Sequence, residues 1–117
     1  MLRMMCKSKI HRARITKVDL NYEGSIGIDS KLLEASRIYP NEMVQVVNVN
    51  NGARFETYVI EEKRNSGAIA LYGAAAHMGK VGDIVIILSY VFMDEKKAKT
   101  SDLKTVYVNS KNREIHA

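Results

Sequence analysis

Apolar and polar residues alternate along most of this chain, and the period of two reads as a succession of short strands. Residues 10–20 alternate and are rich in β-branched side chains, which predicts one long strand. Residues 21–24 break it and residues 25–29 resume an extended segment. Asp29 or Ser30 can cap a short helix over 31–36, with Leu32 and Leu33 facing inward. A turn at Pro40-Asn41 leads to a strand over 43–49. Asn50-Asn51-Gly52 then signals a tight hairpin, because these residues accept positive φ, and 54–60 is the returning strand. On that strand Arg54, Glu56, Tyr58 and Ile60 share one face, and Phe55, Thr57 and Val59 share the other.

The second half continues the pattern. A polar loop over 63–67 leads to a strand over 68–72, followed by the small-residue run Gly73-Ala74-Ala75-Ala76-His77. Val81-Gly82-Asp83 turns into an apolar buried strand over 84–93. Residues 94–102 are charged and read as a loop or frayed helix. Val106-Tyr107-Val108 can add an edge strand, so 94–117 is expected to be a partly loose C-terminal tail. There is no internal repeat. The fold class is mainly β: a small closed or nearly closed barrel with short helices, in a single domain over 1–117.

Composition changes this picture little. The chain has 117 residues, 46% hydrophobic and 26% charged, which suits one globular domain. No apolar run reaches the roughly 18 residues of a membrane span, and the N-terminus is too short and too charged for a signal peptide. The single Cys6 cannot form an internal disulfide, and Cys6, His11, His77 and His116 lack the spacing of a metal site. These features predict a cytoplasmic protein with no metal and no membrane partner.

Charge matters more. The net charge is +5, and Arg3, Lys7, Lys9, Arg12, Arg14 and Lys17 all precede the first acid, Asp19. Such a block can neutralise phosphates, gather small anionic substrates or simply form a solvated strand face. A non-enzymatic, DNA-binding β-barrel using this basic strand is therefore a competing reading.

The segment that separates these readings is Tyr22-Glu23-Gly24-Ser25, taken with Arg54-Phe55-Glu56-Thr57-Tyr58. A Gly-Ser pair alone is an ordinary turn. With a stabilising hydroxyl nearby it can be a peptide bond that cleaves itself. The Ser25 hydroxyl attacks the Gly24 carbonyl, whose α-carbon carries no Cβ to block it, and the amide becomes an ester. Elimination then leaves position 25 as an N-terminal pyruvoyl group, an electrophile that no ordinary side chain supplies.

Three segments now line up: Lys9-Ile10-His11-Arg12 through Tyr22-Glu23-Gly24-Ser25, then Asn51-Gly52-Ala53-Arg54-Phe55-Glu56-Thr57-Tyr58, then Gly73-Ala74-Ala75-Ala76-His77 with Val81-Gly82-Asp83-Ile84-Val85-Ile86-Ile87. Their order and spacing closely resemble the bacterial aspartate 1-decarboxylases, pyruvoyl-dependent enzymes that make β-alanine for pantothenate, over roughly residues 1–95. The resemblance implies a double-psi β-barrel and a homotetramer with active sites between subunits. It also implies a proenzyme that cleaves itself into 1–24 and 25–117. Whether a separate maturation protein assists is left open.

The resemblance also implies roles. Ser25 becomes the pyruvoyl group, a covalent cofactor that forms a Schiff base with L-aspartate, and no diffusible cofactor is expected. Thr57 stabilises the cleavage intermediate and later contacts substrate. Tyr58 is the proton donor. Lys9 and Arg54 hold carboxylates, and Gly73, Ala74 and Ala75 bind substrate through their backbone. His11, Tyr22 and Ile86 are further candidates at the pocket, each equally readable as packing. Tyr72 departs from the family pattern, in which many members carry asparagine, and that puts its part in processing in question. The two cations favour a doubly negative substrate, though residues alone do not separate aspartate from glutamate.

Overall fold

The computed structural model describes residues 1–116. Ala117, the end of the expected tail, lies outside the described residues. The strands are β1 (Leu2–Arg14), β2 (Lys17–Asp19), β3 (Ser25–Asp29), β4 (Met43–Asn48), β5 (Arg54–Glu62), β6 (Ile69–Tyr72), β7 (Ile84–Asp94), β8 (Lys104–Val108) and β9 (Glu114–Ile115). Helices α1 (Ser30–Ser36) and α2 (Glu95–Ala98) and a 3₁₀ turn at Gly73–Met78 fill the connections.

All the strands belong to one sheet, in the order β2-β6-β3-β5-β4-β7-β1-β8-β9. β2 lies at one end of that order and β1 near the other, yet only Ile15 and Thr16 separate them. Successive Cα atoms are about 3.8 Å apart, so two residues can join these strands only if the sheet curls round on itself. Backbone bonds hold the junction: Ile15 N–H donates to the Asp83 carbonyl at 2.9 Å and Thr16 N–H to the Ile69 carbonyl at 2.7 Å. The result is mainly β and barrel-like, as the alternation predicts. Ile10, Ile15, Ile26, Ile28, Val44, Val46, Val59, Ile69, Leu71, Val85, Ile87 and Val106 fill its interior. Among the described residues no helix is long and apolar enough to cross a membrane.

Local chemistry accounts for the elements. Asp29 caps α1 by accepting from the Lys31 N–H, and Leu32 and Leu33 are buried as expected. The hairpin between β4 and β5 uses positive φ only at Gly52, at 77°, while the Asn48 side chain accepts from the Asn50 and Asn51 N–H groups.

Two expectations are corrected. The long strand over 10–20 begins instead at Leu2 and stops at Arg14. Arg12 takes φ 63° and the pairing with β7 shifts between Ile10 and Ala13, so a bulge turns the chain before β2. The C-terminal stretch is also not loose among the described residues. β8 runs parallel to β1 and buries Val106 completely. Asn112 is buried; its Nδ2 donates to the Arg14 and Gly67 carbonyls and its Oδ1 accepts from the Arg14 N–H, all at 2.8 Å. Hydrogen bonds from one amide side chain therefore anchor a segment whose polarity suggests a free tail.

Candidate active site

Ser25 is the first residue of β3, and its Cα partner across the antiparallel ladder is Tyr72 in β6. Ser25 is fully buried whereas Gly24 is exposed, so the Gly24–Ser25 peptide lies where a solvent-facing loop enters the core. The Ser25 hydroxyl donates to the Glu23 carbonyl at 3.2 Å. Gly24 is not crowded: a Cβ there would sit 3.8 Å from the Ala74 nitrogen and 3.9 Å from the Tyr72 oxygen, ordinary contacts. The resting chain therefore has room for a side chain at 24, and the missing Cβ there matters only to the approach of the Ser25 hydroxyl.

Gly73, by contrast, must be glycine. It takes φ 63°, and a Cβ there would lie 2.6 Å from the Tyr22 carbonyl oxygen and 2.7 Å from the Gly24 Cα and nitrogen. The head of the small-residue turn is thus pressed backbone to backbone against the segment before Ser25. Ala75 is buried behind it, and Ala74 is exposed beside Gly24.

Thr57 reaches the same place through strand register. β3 and β5 are parallel with Ile26 opposite Val59. Continued two residues back along both strands, that register brings Thr57 level with Gly24. Thr57 shares the inward parity of Phe55 and the buried Val59.

Tyr58 points the other way. Arg54, Glu56 and Tyr58 are exposed on the outer face of β5. Register extends this face across the sheet: Arg54 pairs with Val47 and Val47 with Ile86, while Glu56 pairs with Gln45, Gln45 with Leu88, and Leu88 with Lys9. Ile86 and Lys9 are half-buried and alternate with the interior residues Val85, Ile87, Ser8 and Ile10. Among the described residues the Arg54 guanidinium makes only a long 3.5 Å contact to Gln45 Oε1, which also accepts from the Tyr90 hydroxyl at 2.9 Å. His11 continues the outer face of β1. Its ring meets Tyr107 edge-on with centroids 5.7 Å apart, and its Nδ1 is buried without a partner among the described residues. Burial lowers the His11 pKa, and Lys9 and Arg12 lower it further.

The predicted residues therefore form two groups. Gly24, Ser25, Thr57, Tyr22, Tyr72, Gly73, Ala74 and Ala75 gather around the Gly24–Ser25 peptide. Lys9, His11, Arg54, Tyr58 and Ile86 lie on the outer face of the β1, β7, β4, β5 region. Within one chain, strand parity turns the second group to the outer face, away from the interior side on which Thr57 lies.

Tyr72 is buried and stacks at a tilt on Tyr22, with ring centroids 4.7 Å apart. Its hydroxyl donates to Glu62 Oε2 at 2.8 Å, and the Lys17 ammonium lies 5.6 Å from its ring centre. Burial first, then the hydrogen bond to Glu62, pushes the Tyr72 phenol up to about 12. Sequence reasoning misses Glu62, because an acid near a strand end reads as solvated. The one available signal is Tyr72 itself, a phenol closing an otherwise apolar strand.

Two of the six cations before Asp19 have partners of their own among the described residues. Arg3 pairs with Glu95 at 2.9 Å, and Lys7 donates to the Arg37 carbonyl at 2.7 Å and lies 3.7 Å from Glu42.

Comparison with known proteins agrees with the geometry. The family model described as aspartate decarboxylase matches residues 1–115. The aspartate 1-decarboxylase of Thermoanaerobacter pseudethanolicus is 53% identical over 116 residues, covering 99% of both chains. That of Carboxydothermus hydrogenoformans is 57% identical over 93% of this chain and 86% of its own. That of Staphylococcus aureus strain JH9 is 54% identical over 96% of this chain and 88% of its own. None of these matches supports a DNA-binding barrel. With a family match over nearly its whole length and more than half its residues shared with such relatives, the chain belongs to the aspartate decarboxylase family.

Proposed function

We propose that this chain cleaves itself between Gly24 and Ser25 and then removes the α-carboxylate of L-aspartate, releasing β-alanine and CO2. The observation that carries the reading is the framing of one peptide bond. Gly73 lies against the residues before it, Thr57 lies level with Gly24, and the Ser25 hydroxyl is buried at the strand start.

The self-cleavage uses this chain's own atoms. Ser25 Oγ adds to the Gly24 carbonyl carbon, the C–N bond breaks and the nitrogen takes the hydroxyl proton, leaving an ester. The Thr57 hydroxyl is the donor for the oxyanion that develops on Gly24. Loss of the Ser25 Cα proton and breakage of the Cβ–Oγ bond release Gly24 as a carboxylate. The Cβ methylene takes up a proton and becomes a methyl, and water then replaces the nitrogen at residue 25, which departs as ammonia and leaves a ketone. The site fits that group, since it is made from a residue already seated at the mouth of the core. When present, a ketone conjugated with the next amide supplies an electrophile for the substrate amine and a sink for the electron pair freed by CO2.

The other residues bind and protonate. The Arg54 fork and the Lys9 ammonium hold the two substrate carboxylates. The Gly73-Ala74-Ala75 backbone lets the substrate approach closely, and the Tyr58 hydroxyl delivers the proton to the substrate carbon. Tyr58, Arg54 and Lys9 face away from Ser25 in their own chain. A complete site therefore takes these groups from the outer face of a neighbouring subunit, in a homotetramer. Exposed Met4, Met43 and Phe92 on that face line a cleft of about 300 Å³, which supports its being covered in the assembly. The enzyme is cytoplasmic in this reading and needs no nucleic acid, membrane or metal.

Purified protein incubated with L-aspartate tests the reading. Release of β-alanine by the wild type and none by Ser25→Ala supports it; equal release by both, or by neither, contradicts it.

A further inference from the structure

We propose that Glu62 is a positioning residue for self-cleavage: it fixes the Tyr72 side chain, and the Tyr72 ring fixes the Tyr22 side of the Gly24–Ser25 peptide. The inference rests on the self-cleaving reading above and adds a role that Glu62 owes to the phenol at 72.

Three strands converge here. β6 supplies Tyr72, whose backbone pairs with Ser25 and whose ring lies 4.7 Å from that of Tyr22. β5 supplies Glu62, which accepts from the Tyr72 hydroxyl at 2.8 Å. β3 supplies the space. Gly27, two residues beyond Ser25, has no side chain, and a Cβ there would overlap the Glu62 carboxylate and lie 2.8 Å from its Cγ and Cδ. The carboxylate therefore occupies the volume of the side chain missing at 27. An acid in that cleft meets a phenol that stays protonated far above neutral pH, so the donor and acceptor roles stay fixed. Tyr22 is more than half exposed and would otherwise be free to leave. Holding it limits the motion of the two residues that precede the reacting carbonyl, and a modest loss of alignment at a reacting centre is costly in rate.

The test follows the intact mass of freshly purified precursor on warming. Tyr72→Phe and Glu62→Ala each slow cleavage by roughly tenfold, the scale of one lost charge-assisted hydrogen bond. The double variant is no slower than either single one, because both remove the same bond. Glu62→Gln keeps both the acceptor oxygen and the side-chain volume and restores most of the rate, whereas Glu62→Met, which keeps the volume without the acceptor, stays as slow as Glu62→Ala; a packing role would restore both. If Glu62→Ala fails to fold, Tyr72→Phe, which deletes one oxygen only, carries the test. Wild type that cleaves while Tyr72→Phe cleaves equally fast, or single effects that add in the double variant, overturns the role of Glu62. A wild-type chain that stays whole overturns the self-cleaving reading instead.

Discussion

Gly73 touches Gly24 backbone to backbone: a Cβ on Gly73 would lie 2.7 Å from both the Cα and the nitrogen of Gly24. The small-residue turn thus shapes the loop that ends at Ser25, as well as offering room to a ligand. Gly73→Ala meets both this overlap and a φ of 63° that side chains resist. The variant is expected to accumulate uncleaved chain, slowed by about tenfold or more. Denaturing gels over a warming course measure it.

Thr57 stands level with Gly24 when the β3–β5 register is continued two residues, and its side chain has one polar group to offer. Thr57→Val keeps the branched shape and removes that donor, so cleavage slows by ~10²–10³ while the fold is retained. Thr57→Ser, which restores a hydroxyl, recovers much of the rate. Equal rates for the Val and Ser variants would remove Thr57 from the cleavage step.

The opposite facing of Thr57 and Tyr58 predicts a separation of effects. Tyr58→Phe cleaves at the wild-type rate, because the donor to the Gly24 oxyanion is Thr57 and the cleavage step uses no proton from Tyr58. Its CO2 release from aspartate falls by ~10²–10⁴, the usual contribution of a positioned proton donor. Mixed assemblies of Tyr58→Phe with Ser25→Ala chains regain activity, since some sites then combine an intact Ser25 from one chain with an intact Tyr58 from the other. Mixtures no more active than the separate variants would place both groups in one subunit.

Asn112 ties the end of the chain to the barrel through three hydrogen bonds to Arg14 and Gly67. Asn112→Ala leaves two carbonyls and one N–H without their partner and destabilises the protein by about 3 kcal/mol, at roughly 1 kcal/mol per bond. Chemical unfolding of the purified variant gives the value. A change below about 0.5 kcal/mol would mean that this anchor carries no weight.

What could be read from the sequence follows physical range. Strands β4 and β5 and the turn at Gly52 are legible because alternation and turn chemistry act between near neighbours. So is α1, with Asp29 accepting from Lys31. The residues at the Gly24–Ser25 peptide came from a family resemblance, and their gathering depends on register between distant strands, which no local pattern encodes. The bulge at Arg12 reads as ordinary strand, since an arginine gives no signal for φ 63°. Residues 109–117 look free because Asn112 is polar, although buried amides with every group paired are stable. The Glu62–Tyr72 bond is least legible of all. It needs an empty Cβ position at Gly27, on a third strand.

The most direct measurement is the intact mass of the purified, active protein. The account predicts two polypeptides, one ending at Gly24 and one beginning at residue 25 with a ketone in place of its amine. A single unbroken chain of 117 residues that still converts aspartate to β-alanine and CO2 would contradict it.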